Sequence, residues 1–237
     1  FHTKVVLQSD STMHVTWGES EETLSPGTKL SVSPGDDRLK EGRMTITLED
    51  PQKEIRILST KRAQGTPSYF GSFELSEESD GLLLINELDV EDYLTRVVPS
   101  EMPSNYELEA LKAQAVAART YALKKMSVQA ATYDVVDTTS DQVYNGTPSG
   151  NARCAQAVQE TSGIVGTVGG EYMASYYTAS NGGQTESVKN AWGSGSYSYL
   201  QVKDDPYDLR NGASIAKSVT FYRDGTTSVS ALTGACS

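Results

Sequence analysis

Histidine and cysteine are scarce in this chain, and their scarcity excludes several classes of enzyme. The 237 residues include only two histidines, His2 and His14, and two cysteines, Cys154 and Cys236. A Ser-His-Asp or Cys-His catalytic system would require one of these histidines to fold back onto a distant nucleophile. The sequence has no CxxC and no HExxH motif, so it gives no support for a zinc site. Carboxylate, lysine and tyrosine side chains are left as the groups that could carry catalysis.

The chain also lacks long apolar runs, and its charge is mainly of one sign. No run approaches the roughly 20 apolar residues that a membrane-spanning helix needs, and no signal peptide is recognisable at Phe1. We therefore expect either a cytosolic protein or the exported part of a longer precursor. The net charge of -11 and the pI of about 4.7 disfavour nucleic acid as a partner. Any anionic ligand must be held by local cations.

The composition is that of a globular protein with room for one large domain or two small ones. Hydrophobic residues make up 37% of the chain and charged residues 22%, which is enough to form a sizeable core. Cys154 and Cys236 could pair as a disulfide in an exported protein, or remain two separate thiols. The sequence leaves both alternatives open.

The first 88 residues alternate apolar and polar side chains in short runs, which predicts an antiparallel β region. Turn signals separate the runs, among them Pro26-Gly27 and Asp50-Pro51. The runs are KVVLQ (4–8), HVTW (14–17), TKLSVS (28–33), MTITLE (44–49) and EIRILST (54–60). Two further strands, over 68–74 and 81–87, are predicted to be joined by an acidic loop.

Helical patterns follow this β region. A short helix is predicted over 89–98, ended by Pro99. The spacing of Ser104 and Glu107 is that of a capping box and predicts that a second helix begins at Ser104. Apolar residues recur there at steps of three and four and form one ridge. The ridge consists of Leu108, Leu111, Ala115, Ala118 and Ala122. Lys112 and Arg119 lie on one flank of it, and Gln114 and Tyr121 on the other.

The second half of the chain predicts one more helix and a hairpin. The helix covers 152–161, with Gly163 as its cap, and Gly169-Gly170 joins two strand-like runs. A tight polar turn follows, formed by Ser180, Asn181, Gly182 and Gly183. We predict an α+β fold, with central helices packed on antiparallel β elements. Residues 1–66 form a β-rich N-terminal extension, separate or part of the same unit, and 67–237 form the main domain.

Residues 69–208 resemble the SpoIID family, the stage II sporulation protein D group that includes the LytB-like amidase enhancers. The match covers more than half of the chain in the family's order, and VVPSEMP followed by ALKAQAVAARTYA is a highly specific signal. The matching pieces are YFGSFEL (69–75), LLLINELDVEDYLTRVVPSEMP (82–103), EALKAQAVAARTYAL (109–123), YDVVDTTSDQVYNG (133–146), ASYYTASNGGQTE (174–186) and YLQVKDDPYD (199–208).

The resemblance implies a lytic transglycosylase that acts outside the cytoplasm on peptidoglycan, secreted or anchored to the membrane at the cell wall. In the sporulation members the substrate is glycan stripped of its stem peptides, and the product ends in 1,6-anhydro-N-acetylmuramic acid. Those members work during engulfment with a cell-wall amidase and a membrane anchor protein, so both are implied as partners. No cofactor is implied.

The resemblance also assigns residues. The catalytic acid of the family falls on Glu101, within SEMP, and the helix motif of the family falls on Lys112, Gln114, Arg119 and Tyr121. The turn after the strand in the family falls on Ser180, Asn181, Gly182 and Gly183. Aromatic side chains suit sugar stacking, so Tyr144 and Tyr177 join Ser180 and Asn181 as predicted substrate-binding residues.

The segment 136–145 departs from the family pattern. Many relatives carry cysteine and histidine there, and a zinc site is associated with some of them. This chain has Val136, Ser140, Asp141 and Asn145 at those positions, so we expect no metal. Hydrogen bonds must then shape the loop, and the candidates for making them are Asp137, Asp141 and Gln142.

Two alternatives to the transglycosylase remain open from the residues. The chain could be a wall-binding module that stimulates an amidase without cleaving glycan itself. It could also be a hydrolase, which would need a second acid such as Asp137, Asp141 or Glu186. That acid would lie about 6.5–9.5 Å from Glu101 in an inverting enzyme.

Overall fold

The computed structural model describes residues 1–128, 132–147, 150–193 and 195–210. The chain divides after Tyr176 into two compact units. Helices and antiparallel sheets are both present, so the predicted α+β class is confirmed. The predicted boundary between residues 66 and 67 stays a prediction, although both larger sheets contain strands from both sides of it.

The first unit contains two larger antiparallel sheets and a short two-stranded one. One larger sheet has five strands in the order β3-β2-β5-β8-β9, and the other has four in the order β4-β1-β6-β7. The strands are β1 Val5–Ser9, β2 Met13–Trp17, β3 Ser20–Leu24, β4 Lys29–Val32, β5 Met44–Leu48, β6 Ile55–Ile57, β7 Ser68–Tyr69, β8 Ser72–Glu78 and β9 Gly81–Glu87. Burial alternates along β1, where Val5 and Leu7 are fully buried, so period-two alternation located most of these strands correctly.

Strand β3 was not predicted. Its sequence SEETL carries no apolar alternation, and nearly all of its side chains are exposed. It lies at the edge of the five-stranded sheet and pairs with β2 from Met13↔Leu24 to Trp17↔Ser20. A polar edge strand is held by its hydrogen bonds to the neighbouring strand rather than by burial, so the hydrophobic pattern does not reveal it.

The first helix, α1 Val90–Glu101, begins where predicted but extends further. Asp89 caps its N-terminus by accepting a hydrogen bond from the Glu91 N–H. The prediction that Pro99 ends the helix is wrong, because Pro99 lies inside the last turn. Pro99 has no N–H to donate to the carbonyl of Thr95, four residues earlier. That carbonyl accepts a long hydrogen bond from the Arg96 side chain instead. Because the helix continues, Glu101 is its last residue.

The second helix, α2 Leu108–Met126, begins one turn later than predicted. Its N-cap is Glu107, which makes no side-chain capping bond, so the predicted capping box at Ser104 is wrong. Ser104 lies instead in a turn that the Tyr106 N–H closes onto the Pro103 carbonyl. The predicted ridge is confirmed, since Leu111 and Ala115 are fully buried. Small side chains on this ridge allow α1 and α3 to pack closely against α2.

The remaining elements are short. Helix α3 Ala152–Glu160 begins as predicted, and strands β10 Thr167–Val168 and β11 Glu171–Tyr172 form the predicted hairpin. Gly169 and Gly170 both have positive φ, as a type I′ turn requires. The second unit contains α4 Val188–Trp192 and α5 Pro206–Arg210. No helix within the described ranges is long and apolar enough to cross a bilayer.

Cys154 is buried in α3. Its candidate partner, Cys236, lies outside the described residues, so the disulfide alternative stays open.

Candidate functional site

Glu101 lies at the C-terminal end of α1 with its side chain half-buried. One carboxylate oxygen, Oε1, accepts a hydrogen bond of 2.6 Å from the backbone N–H of Val143. Within the described residues, the other oxygen has no hydrogen-bond partner, and the carboxylate has no ion-pair partner. The carboxyl group is therefore oriented through one oxygen only, and its predicted catalytic role stays a prediction.

The loop that holds Glu101 is itself fixed to α1 and α2. Gln142 is 0% exposed. Its Oε1 accepts a hydrogen bond from the Tyr93 hydroxyl at 3.2 Å, and its Nε2 donates to the Ala118 carbonyl at 3.2 Å. Because Gln142 precedes Val143, these two bonds determine where the Val143 N–H points. The prediction that hydrogen bonds of Gln142 shape this loop is confirmed.

Asp141 holds the same loop through both of its oxygens. Oδ1 accepts hydrogen bonds from Lys125 and from the Tyr121 hydroxyl, each at 2.7 Å, and Oδ2 accepts from the Val136 N–H at 3.0 Å. Desolvation raises the pKa of this carboxyl, but these hydrogen bonds and the charge of Lys125 outweigh it and hold the pKa below its usual value. Asp141 therefore stays ionised at neutral pH, and its predicted role in shaping the loop is confirmed.

Replacing Gln142 by leucine should destabilise the fold by about 1–3 kcal/mol, because two buried hydrogen bonds are lost. Urea denaturation followed by circular dichroism measures the change. Gln156→Leu is the matched control, since Gln156 is an exposed glutamine on α3. A Gln142→Leu variant as stable as this control would show that Gln142 does not hold the loop.

Arg119 is 1% exposed, and all three of its guanidinium nitrogens donate hydrogen bonds to protein groups. It makes a bidentate pair with Glu91, with distances of 2.8 and 2.7 Å, and also donates to the carbonyls of Ile164 and Val158. These bonds tie α1, α2 and the end of α3 together. Arg119 makes no ion pair with Glu101. Substrate binding by Arg119 stays a prediction and would require the Glu91 pair to open.

Two other polar residues on the flanks of α2, Lys112 and Gln114, differ in whether other side chains of the protein already bind them. Lys112 pairs with Glu109 at 2.8 Å and with Glu160 at 2.6 Å, and these carboxylates raise its pKa. Gln114 is buried, and its Nε2 makes no hydrogen bond with the described residues. A buried donor of this kind is usually satisfied by a water or a ligand. Substrate binding by Lys112 and Gln114 stays a prediction.

The predicted aromatic residues of the first unit have separate surroundings. Tyr121 donates to Asp141 and lies edge-on to Tyr176, with 6.3 Å between the ring centroids. Tyr144 is 6% exposed, and its hydroxyl donates to Asn86 at 3.1 Å. Its ring lies 5.1 Å from that of Tyr69, and burial raises its pKa. Tyr144 therefore offers little surface to a sugar as it stands, and its substrate role stays a prediction.

Ser180 and Asn181 lie in the second unit, in the tight turn that the sequence predicts. Asp208 closes this turn by accepting hydrogen bonds from the Ser180 hydroxyl and from the N–H groups of Asn181 and Gly182, at 2.7–3.0 Å. Asp205 accepts from the Asn181 side chain at 2.9 Å. The turn lines a cavity of about 250 Å³. Tyr177, also of this unit, is half-buried. The substrate roles of these residues stay predictions.

Sequence reasoning missed two contributors to this site. The hydrogen bond from the Val143 N–H to Glu101 could not be predicted, because any residue type other than proline can supply a backbone donor. Glu91 was not linked to Arg119, although an acidic residue in the first turn of α1 was visible. Among the described residues, no group of three or more His, Cys, Asp or Glu side chains could hold a metal ion.

The comparisons with known proteins bear on this geometry. Residues 78–167, which include α1, α2 and α3, match the family model described as SpoIID: Stage II sporulation protein. These 90 residues are therefore similar to the SpoIID family. The family resemblance predicted from the sequence is confirmed, and Glu101 and its loop lie inside the matched SpoIID region.

Individual relatives include proteins of Bacillus subtilis and of Brachyspira hyodysenteriae. The amidase enhancer of Bacillus subtilis is 44% identical over 119 residues, which are 50% of this chain and 16% of that protein. The stage II sporulation protein D of Bacillus subtilis is 30% identical over 177 residues, covering 63% of this chain and 51% of that protein. An uncharacterized protein of Brachyspira hyodysenteriae is 42% identical over 127 residues, covering 53% and 34%. The chain thus spans about half or less of the length of these relatives.

Proposed function

We propose that this protein is a lytic transglycosylase that cleaves peptidoglycan glycan strands, preferably strands stripped of stem peptides, to products ending in 1,6-anhydro-N-acetylmuramic acid. The observation that carries the proposal is the state of Glu101. One oxygen of its carboxyl group is oriented by the Val143 N–H, and the other has no partner among the described residues. That is the arrangement a general acid and base needs, because proton transfer requires a fixed but accessible oxygen.

A single carboxyl group can carry the whole reaction. Glu101 donates its proton to the glycosidic oxygen as the bond to C1 of the muramic acid breaks. The C6 hydroxyl of the same sugar then attacks C1 and returns its proton to Glu101. No water enters the product, and the carboxyl group ends in its starting state. A hydrolase would instead need a second acid to activate water or to attack C1.

The three acids that could act as the second carboxyl group of a hydrolase already make hydrogen bonds or ion pairs with other residues. Asp141 has both oxygens in hydrogen bonds. Asp137 pairs with Arg62. Glu186 accepts hydrogen bonds from the Ser187 N–H and the Asn190 side chain in the second unit. These contacts favour the mechanism that needs only Glu101.

Glycan contacts are proposed for each unit by itself. On α2, Gln114 offers an amide donor with no described partner, and Tyr121 and Lys112 lie on either flank of the helix. In the second unit, the hydroxyl and amide groups of Ser180 and Asn181 suit the hydroxyls of a sugar. Because the substrate is cell-wall glycan, we propose an extracytoplasmic location, secreted or attached to the membrane at the wall.

A second candidate function is stimulation of a cell-wall amidase without cleavage of the glycan. The name of one relative, the amidase enhancer of Bacillus subtilis, favours it. An amidase partner and a membrane anchor protein are compatible with both functions. The two differ in what happens to a glycan strand when no partner is present.

A digest of peptide-stripped glycan strands, analysed by mass spectrometry, tests the proposal. We expect products 18 Da lighter than hydrolysis products with wild type and with Glu107→Gln, and at least about 10²-fold less of them with Glu101→Gln. Glu107 is a matched control because it is an exposed glutamate six residues away that makes no side-chain capping bond. Reducing-end products would identify a hydrolase. Binding of strands without cleavage would contradict the enzyme and favour the amidase-stimulating module.

A further inference from the structure

The loop 133–147, which holds the proposed catalytic acid, is attached at two points to the β-rich N-terminal region. The guanidinium of Arg62 makes an ion pair with Asp137, in the first half of the loop. The carboxylate of Glu54 accepts a hydrogen bond from the hydroxyl of Thr147, at the end of the loop. The partners are 75 and 93 residues apart in the sequence. The N-terminal region therefore contacts this loop on both sides of the backbone N–H that orients the acid.

The contact at Glu54 is part of a wider polar cluster that includes helix α1. Glu54 also accepts a hydrogen bond from the Ser68 hydroxyl at 2.8 Å. Arg96 of α1 donates to the Thr147 hydroxyl at 3.3 Å and lies 3.7 Å from the Glu54 carboxylate. Because Glu101 is the last residue of α1, this cluster ties the end of the loop to the helix that carries the acid.

Backbone packing leaves the end of the loop little room to shift. Gly146 has a φ of 76°, and a Cβ atom at this position would lie 2.6 Å from the carbonyl oxygen of Ser68. The ring of Tyr144 lies against that of Tyr69, with 5.1 Å between the centroids. This part of the loop therefore fits closely against strand β7.

The contact at Arg62 reaches the acid through the loop backbone. Asp137, which pairs with Arg62 through its side chain, accepts a hydrogen bond at its carbonyl from the Tyr144 N–H at 3.4 Å. Tyr144 directly follows Val143, whose N–H donates to Glu101. The Nε of Arg62 is buried and makes no hydrogen bond with the described residues. Moving Asp137 away would leave a partly desolvated cation without its counter-charge, which opposes opening of the loop.

We propose that Arg62 and Glu54 are positioning residues for the catalytic acid. They hold the loop from both sides, so that the Val143 N–H keeps the Glu101 carboxyl group in its reactive orientation. The proposal rests on the proposed function, because it gives the N-terminal region a part in the same reaction. Both residues act through the loop and not on the glycan. A loop released at either side would let the carboxyl group turn away, and a misplacement of about 1 Å can lower a rate about 10²-fold.

Amide hydrogen exchange, measured by NMR on the whole chain, tests whether these contacts hold the loop. Arg62→Met removes the ion pair with little change in side-chain length, and Thr147→Val removes the hydroxyl that donates to Glu54. We expect the Val143 amide to exchange at least about ten-fold faster in each variant. The Ala115 amide, in the buried part of α2, should change less, since it opens only with a larger part of the fold.

Kinetics on peptide-stripped glycan test whether the held loop serves catalysis. We expect kcat to fall about ten-fold in Arg62→Met and in Thr147→Val, with KM within about two-fold of wild type, because the acid is misplaced while the glycan contacts remain. Arg62→Lys keeps a cation beside Asp137 and should recover most of the lost kcat.

Matched controls lie in the same β-rich region. Arg56→Met makes the same change in charge on β6, but Arg56 pairs with Asp10 at 2.7 Å, within the N-terminal region. Thr16→Val replaces an exposed threonine on β2. Both controls should keep the wild-type exchange at Val143 and the wild-type kcat.

The outcomes separate this inference from the proposed function. An unchanged Val143 amide in both variants would overturn the inference even if wild type cleaves glycan as proposed. Faster exchange with an unchanged kcat, or an equal loss of kcat in Arg56→Met, would overturn it as well. A wild type that cleaves no glycan would overturn the proposed function and with it the catalytic part of the inference. Faster exchange at Val143 would then still show that the N-terminal region holds the loop.

Discussion

The Glu101→Gln variant is expected to cleave peptide-stripped glycan about 10²–10⁴-fold more slowly than wild type, because it loses the group that donates and recovers the proton. The amide has the same shape as the carboxyl group, and its oxygen can still accept the hydrogen bond from Val143. The loss should therefore fall on kcat, with binding of the strand nearly unchanged. Initial rates of anhydro-product release, together with calorimetric binding of strands, measure the two quantities separately.

The stability of this variant decides how a loss of activity is interpreted. A change at a half-buried residue that keeps its hydrogen bond should alter the free energy of unfolding by no more than about 0.5 kcal/mol. Glu107→Gln should match wild type in rate and in stability. If Glu101→Gln retained the wild-type rate, the proposed acid would be wrong. If it lost strand binding together with activity, Glu101 would have a binding role instead.

The hydrophobic pattern of the sequence predicted those strands and helices that bury one face in the core. Alternation located β1 and β2 because one face of each strand is buried, and the step of three and four located the ridge containing Leu111 and Ala115. The pattern failed for elements whose position does not depend on a buried face. Strand β3 is polar and depends on its neighbour, and the start of α2 at Leu108 follows from a turn after Pro103 rather than from a side-chain cap.

The candidate site was predictable in its residues but not in their partners. The motif around Glu101 predicted that this residue is the catalytic acid, which stays a prediction, and the absence of histidine and cysteine in the loop led to Asp137, Asp141 and Gln142 as its candidate hydrogen-bonding residues. The contacts of Arg119 were not predictable, because Glu91 lies 28 residues earlier and meets it only after α1 and α2 have packed. Spacing along one helix shows which side chains share a flank. It does not show whether that flank meets a ligand or another helix.

Glu101 makes no ion pair within the described residues, and Lys112 and Arg119, the two cations of the predicted helix motif, are each paired with other acids.

The pair between Glu91 and Arg119 predicts a large and asymmetric effect on stability. Replacing Glu91 by glutamine leaves a guanidinium that is 1% exposed without a counter-charge, at a cost of about 3–5 kcal/mol. Replacing Arg119 by methionine should cost less, about 1–3 kcal/mol, since the Glu91 side chain is 30% exposed and water can solvate its charge. Asp92→Asn, an exposed neutralisation in the same helical turn, should change stability by less than about 1 kcal/mol.

Acid should remove the contribution of this pair. Desolvation raises the pKa of Glu91, but the hydrogen bonds from Arg119 and Gly163 and the charge of Arg119 outweigh it, so the pKa lies below its ordinary value. The stabilisation is therefore complete above the ordinary glutamate pKa of about 4.3 and is lost as the pH falls through the lowered value. Urea denaturation of wild type and Glu91→Gln between pH 7 and pH 3 should show their difference in unfolding free energy shrinking below about pH 4.5. A difference that stayed constant would mean that Glu91 acts through packing and not through its charge.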